Sequence, residues 1–151
     1  MSIVNSLYVK SIRDIQEEIV AEFAIYDDWM DKYNYLIELS KDLPMIDPGL
    51  KISENLISGC QSRVWLNAEY KDGLIRFTAD SDAVITKGIV SLLIRVLSDR
   101  TPEEILQTEL FFIDQIGLRQ NLSPTRSNGL LSMIKQMKLY ALAYQTKFGG
   151  S

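Results

Sequence analysis

Residues 63–79 read RVWLNAEYKDGLIRFTA, and this stretch decides the fold class. Over 63–70 the side chains alternate: Val64, Leu66, Ala68 and Tyr70 fall on one face, Trp65, Asn67 and Glu69 on the other. Over 74–79 the alternation returns, with Ile75, Phe77 and Ala79 together. A period of two is the strand period. Between the runs stands Asp72-Gly73, a dipeptide suited to a two-residue turn that needs positive φ at both positions. The stretch therefore predicts an antiparallel β-hairpin with one apolar face.

On both sides of the hairpin the period changes to that of a helix. Upstream, residues 11–23 place Ile12, Ile15, Ile19 and Phe23 on one stripe, with Arg13, Asp14, Glu17 and Glu18 between them. Asp27 or Asp28 offers an N-cap for a second helix, with Asp31 in its first turn and Pro44 ending it near Asp42. There Met30, Tyr33, Ile37 and Ser40 share a face flanked by Trp29, Leu36 and Leu39. Residues 43–58 hold Pro44, Pro48 and Gly49 without a helical period, so a loop is expected, with a short third strand at 55–57. Downstream, Asp82 can cap a helix over 83–98 that is apolar on most sides, hence central and buried. Thr101-Pro102-Glu103-Glu104 is a capping box with proline at the first helical position. A short helix follows, then another over 110–116 ended by Gly117. The last opens at Ser123-Pro124 and runs to about residue 146, with Leu130, Met133, Ile134, Met137 and Ala141 inward. The expected architecture is α+β: a small antiparallel sheet, the hairpin plus the short third strand, with helices packed on one face.

The chain has 151 residues, 46% hydrophobic and 24% charged, which is one domain's worth, 1–151, with fraying expected at 1–10 and 147–151. A chain of this size buries roughly 70% of its unfolded surface and needs no metal or disulfide to fold. Sixteen basic against twenty acidic residues leave a net charge of -4, the reverse of what a nucleic-acid partner asks for. There is no histidine, which excludes Ser-His-Asp and Cys-His catalysis and any histidine metal ligand. There is one cysteine, Cys60, which excludes an internal disulfide, a four-cysteine zinc site and a cluster held by this chain alone. Residues 1–10 lack a basic start followed by an apolar block, and the most apolar stretch, 85–97, is too short to span a bilayer and is broken by Lys87 and Arg95. The expectation is a cytoplasmic protein without a membrane partner.

Cys60 lies in Ser58-Gly59-Cys60-Gln61-Ser62, between the long loop and the hairpin. A lone cysteine is commonly a small buried hydrophobe. Against that, Gly59 permits a tight projecting loop, Gln61 and Ser62 are poor core company, and reactive groups are often presented at the end of irregular segments. The residues leave both readings open. With no histidine beside it, such a thiol can act as a nucleophile or as an acceptor of sulfur; Arg63 nearby would favour its thiolate and Glu54 would oppose it.

Gly59-Cys60-Gln61-Ser62-Arg63-Val64-Trp65 resembles the motif around the active cysteine of the SufE family. Residues 33–44 (YNYLIELSKDLP) resemble the family's second helix, Asp80-Ser81-Asp82-Ala83 with Lys87-Gly88 the segment after its hairpin, and residues 122–130 (LSPTRSNGL) the opening of its last helix. The resemblance covers 27–143, with the motifs in family order, and implies a SufE/IscU-like fold. It also implies that Cys60 carries a persulfide sulfur received from a pyridoxal-phosphate cysteine desulfurase of the SufS type, stimulates that enzyme, and delivers the sulfur to the SufBCD scaffold for iron–sulfur cluster assembly. The chain itself would then hold no cofactor and perform no independent catalysis; it is the accessory half of a two-component sulfurtransferase, a monomer or weak homodimer. A CsdA-type desulfurase is the alternative donor. An independent one-cysteine peroxidase and a non-catalytic interaction module with an inert cysteine are the competing functions.

Supporting roles follow for a few residues. Gly59 shapes the loop, and Gln61 and Ser62 can hydrogen-bond a persulfide. Asp82 caps the central helix or, by the resemblance, holds the cysteine loop. Arg126 stands in the first turn of a helix, where the dipole disfavours a cation, which asks for a carboxylate partner or a contact with the desulfurase. Lys87 snorkels to solvent or contacts the partner. Trp65 is expected in the core or at its rim, and Met133 and Met137 in the core.

Overall fold

The computed structural model describes residues 10–148. Asp72 (φ +55°) and Gly73 (φ +81°) form the whole connection between β1 (Val64–Lys71) and β2 (Leu74–Ser81). Two consecutive positive φ values give a turn whose twist matches that of the strands. The register runs from Lys71↔Leu74 to Val64↔Ser81, so Val64, Leu66 and Ala68 share the buried face with Ile75, Phe77 and Ala79.

A two-stranded sheet leaves two edges of unpaired backbone groups, and here both are occupied. Along β2, Ile75 exchanges bonds with residues 99 and 100, Phe77 N–H donates to Ser98 Oγ at 2.9 Å, and Ala79 exchanges bonds with Pro44 and Ile46. Along β1, the Val64 carbonyl accepts from Ile57 N–H, and the carbonyls of Leu66 and Ala68 accept from the hydroxyls of Tyr140 (3.4 Å) and Tyr144 (2.9 Å). The third strand expected at 55–57 reduces to one bridge, Leu56 with Trp65. A 3-10 turn at Ser53–Asn55 precedes it and the cysteine loop follows, so no extended run is left to pair.

The helices cover one face of this hairpin. α1 (Ile12–Ala24) is capped by Ser11 and buries Ile12, Ile19 and Phe23 as its spacing predicts, but also Gln16. That amide joins α1 to residues 109–112: it donates to the Glu109 carbonyl and accepts from Phe112 N–H. α2 (Trp29–Leu39) is capped by Asp28, whose side chain accepts from Asp31 N–H. Its inward residues are Leu36 and Leu39, two of those that flank the face shared by Met30, Tyr33, Ile37 and Ser40, whereas Met30 is 66% exposed. The cause lies in α3 (Val84–Leu97). Gly88 of α3 meets α2 backbone to backbone: a Cβ there would overlap the Leu36 carbonyl oxygen and sit 2.8 Å from its carbon. That contact draws Leu36 into the seam. Eleven of the 14 residues of α3 are buried, which makes it the central helix.

The capping box at Thr101 and Glu104 opens α4 (Pro102–Gln107) with both reciprocal bonds formed. Beyond it the single helix expected over 110–116 is shorter, α5 (Phe112–Gln115), and Gly117 (φ +78°) turns the chain into a further short helix, α6 (Leu118–Asn121). α7 (Pro124–Phe148) runs the rest of the way, burying Gly129, Leu130, Met133, Met137 and Ala141. Of the ends expected to fray, residues 1–9 and 149–151 lie outside the described residues; Lys147 and Phe148 are helical, and the Phe148 ring stacks on Tyr70 at 4.7 Å.

Candidate functional site

Cys60 sits at the tip of a loop clamped at both ends and loose between them. At the entry, Ile57 N–H bonds the Val64 carbonyl. At the exit, Arg63 and Asp82 bond reciprocally: Arg63 N–H donates to Asp82 Oδ1 (3.1 Å), Asp82 N–H to the Arg63 carbonyl (3.3 Å). Among the described residues, no backbone-to-backbone hydrogen bond involves residues 58–62. Packing holds them instead. Gly59 adopts φ +93°, open to glycine and strained for other residues, and its α-carbon faces Ser132 of α7 so closely that a Cβ would overlap Ser132 Oγ. This brings Cys60 Sγ to 3.6 Å from the Gly129 carbonyl oxygen, a weak S–H contact. Gly129 lies directly against it: a Cβ there would be in van der Waals contact with the sulfur, at 3.5 Å.

Beside the sulfur is a recess of about 20 Å³, lined by Cys60, Gln61, Ser62, Thr86, Thr125, Arg126, Gly129 and Met133. The thiol is half-buried. Burial pushes its pKa up, and no neighbouring charge offsets that. Neither Arg63 nor Glu54 therefore sets its ionisation. Arg63 is turned to Asp82, with Nε 3.7 Å from Oδ2. The resting thiol is protonated at neutral pH and is a poor nucleophile where it lies.

The predicted site residues fall into two groups. Gly59, Gln61, Ser62 and Arg126 gather round Cys60. Asp82 stands at the loop's exit and does not cap the central helix: α3 has Ala83 at its N-cap with no side-chain bond, and the Asp82 carboxylate is spent on Arg63. No carboxylate among the described residues pairs with Arg126; its guanidinium donates to the Tyr33 hydroxyl (3.2 Å) and its own N–H to Ser123 Oγ. The ion pair expected from its place in the first turn is thus replaced by a neutral hydroxyl, which leaves the charge available at the rim of the recess.

Lys87 belongs to another cluster. Its Nζ lies 3.3 Å from Asp80 Oδ1, while Lys51 Nζ lies 2.8 Å from Asp80 Oδ2 and 4.6 Å from the centre of the Trp65 ring. Asp80 is 6% exposed. Burial alone would raise its pKa, but hydrogen bonds from Lys51, from Ser81 N–H and from Lys87 outweigh that and hold the carboxyl below its ordinary range. The cluster ties the 43–58 loop to the outer face of β2, and Lys87 is engaged there instead of simply reaching solvent. Sequence reasoning missed Asp80 as a pinning residue, and missed Gly129, Ser132 and Thr86 as the wall behind the cysteine. A glycine inside an otherwise helical pattern was the available signal for Gly129.

Among the described residues no helix is long and apolar enough to cross a membrane, and no group of three or more Cys, Asp or Glu side chains is placed to hold a metal ion. Comparison with known proteins adds the family. An uncharacterised SufE-like protein of Rhizobium meliloti is 39% identical over 127 residues, covering 81% of this chain and 91% of that protein. One from Synechocystis is 39% identical over 129 residues, covering 85% and 80%. The chloroplastic/mitochondrial SufE-like protein 1 of Arabidopsis thaliana is 40% identical over 132 residues, covering 87% of this chain and 36% of that longer protein. The solution structure of a hypothetical protein from Thermus thermophilus superposes with a TM-score of 0.72 over 87% of this chain and 96% of that one; at 20% identity the likeness speaks for the shared fold. Residues 17–141 match the SufE model, described as an Fe-S metabolism associated domain, and the chain belongs to that family.

Proposed function

We propose that this protein is a sulfur carrier of iron–sulfur metabolism, that the sulfur rides on Cys60, and that the donor is a pyridoxal-phosphate cysteine desulfurase of the SufS type. The observation that carries the reading is the mounting of Cys60: the chain's one thiol, at the tip of a loop fixed at Ile57 and Arg63 and otherwise held by packing against α7. Such a loop can release its tip without unfolding the domain.

The transfer is a thiol exchange. The Cys60 thiolate attacks the outer sulfur of the desulfurase's cysteine persulfide; a new sulfur–sulfur bond forms at Cys60, the donor's bond breaks, and the electron pair leaves on the donor cysteine. Docking exposes Cys60 and brings its pKa back toward the roughly 8.5 of a free thiol, which supplies the thiolate where it is wanted. Relieving the donor of its product accelerates the desulfurase. The sulfur then passes to the SufBCD scaffold. The chain contributes no cofactor and no catalysis of its own, works in the cytoplasm as a monomer or weak homodimer, and needs neither nucleic acid nor membrane. A CsdA-type enzyme is the alternative donor.

The test is intact-mass analysis after incubation with a SufS-type desulfurase and free cysteine, beside a Cys60→Ser control. One or more added sulfur atoms, removed by reductant and absent from the control, are expected. No added sulfur with either a SufS-type or a CsdA-type enzyme, each shown active by sulfide release, would turn the assignment to a non-catalytic interaction module.

A further inference from the structure

The recess beside Cys60 is small. Its volume of about 20 Å³ is close to the roughly 10–15 Å³ that a single water-sized group requires. A persulfide adds one sulfur about 2 Å beyond Sγ, and a trisulfide adds a second. The wall on that side is main chain: the Gly129 carbonyl oxygen lies 3.6 Å from Sγ, and the space a Gly129 side chain would fill begins 3.5 Å from it. Gly129 lies in the second turn of the 25-residue helix α7, and helical main chain does not move aside as a side chain does. Two other residues of the lining, Thr86 of α3 and Met133 one turn along α7, are also buried.

We propose that the recess admits one carried sulfur and no more, so that Cys60 bearing a single sulfane sulfur folds back against Gly129, while Cys60 bearing two stays outside. Gly129 is the positioning residue that sets the limit. The inference rests on the carrier reading above and adds a length check to it: a correctly loaded carrier travels closed, and an overloaded one remains open to attack by thiols, which trim it back. In that trimming a thiolate attacks the terminal sulfur, takes it as its own persulfide and leaves Cys60 with one sulfur fewer.

The test needs no desulfurase. Inorganic polysulfide loads the thiol directly, since the Cys60 thiolate takes one sulfur from the polysulfide chain and releases a chain one sulfur shorter. The loaded mixture is treated with iodoacetamide, and intact mass follows the capture of the one-sulfur and two-sulfur forms separately in the same tube. In the native protein the two-sulfur form is expected to react about tenfold faster or more, because the reactivity of a group exposed for a fraction of the time is scaled by that fraction. In urea the two rates are expected to converge. Gly129→Ala is expected to abolish the difference, leaving the one-sulfur form as exposed as the two-sulfur form, while its melting temperature holds or rises because alanine favours the helix. Equal rates in the native wild-type protein, or a one-sulfur form still protected in a folded Gly129→Ala variant, would overturn the proposal, as would a thiol that polysulfide fails to load. If the protein passes this test yet takes no sulfur from a desulfurase, the choice of donor is wrong and the recess stands.

Discussion

Substituting Gly59 by alanine should release Cys60 without unfolding the protein. The docked loop requires φ +93° at this position, and a Cβ there would overlap Ser132 Oγ and come within 3.3 Å of Ser132 Cβ. A left-handed backbone costs a non-glycine residue about 1–2 kcal/mol. The overlap adds on the order of 1 kcal/mol, the low end for overpacking, because the Ser132 hydroxyl can rotate away. Both penalties fall on the docked loop alone, since residues 58–62 make no backbone-to-backbone hydrogen bond that would spread them into the fold. At tenfold per 1.4 kcal/mol, a total of about 2–3 kcal/mol raises the open fraction about 30- to 140-fold. The assay is the rate of Cys60 alkylation under native conditions, with an unstructured peptide of residues 56–64 as the ceiling. Adding Ser132→Ala should return about fivefold of the increase by removing the overlap with Oγ, leaving the φ penalty and the 3.3 Å approach of the two Cβ atoms. An unchanged alkylation rate together with a melting temperature lowered by several degrees would refute the reasoning. It would mean that the loop is part of the cooperative fold and opens only when the whole domain does.

Asp80→Asn should remove a pH-dependent part of the stability. A carboxyl held below its ordinary pKa by partners stabilises the folded state fully above its unfolded value, and that contribution is lost as pH falls through the lower folded value. Urea denaturation from pH 7 down through the Asp range should therefore show a steeper acid limb in the wild type than in the variant, and at neutral pH the variant should be about 1–3 kcal/mol less stable, allowing for two lysines that are partly exposed. Gly88→Ala should be the most damaging single methyl in the chain, because it meets the Leu36 main chain rather than a movable side chain; a loss of about 3 kcal/mol or failure to fold is expected in urea denaturation. The pH profile of Cys60 alkylation should have its midpoint above that of a free thiol, because burial raises the thiol's pKa, and it should move down when a SufS-type desulfurase is added.

The parts of this protein that local physics controls were legible in its sequence. The alternation on either side of Asp72-Gly73 yields the hairpin and its register, because the turn allows one pairing and the apolar face allows one orientation. Asp28, the Thr101–Glu104 box and the apolar run of α3 specify helix starts and a central helix in the same way. Cys60 stood out as the chain's one thiol, at the end of an irregular segment, and its sulfur-carrying role was implied by the resemblance of residues 59–65 to the SufE motif. What the tertiary structure decided are the contacts between segments distant in sequence. A local pattern cannot tell that α2 turns Leu36 rather than Met30 inward, because that depends on where Gly88 lets α3 approach. Nor can it tell that Asp82 bonds Arg63 instead of capping α3, that Arg126 finds Tyr33 instead of a carboxylate, or that Asp80 joins Lys51 and Lys87, since each partner arrives from another element. The resting state of the thiol belongs to this second kind. Cys60 is quiet because the turn at Gly59 sets it against Gly129, 70 residues further along the chain, where burial raises the pKa of the thiol.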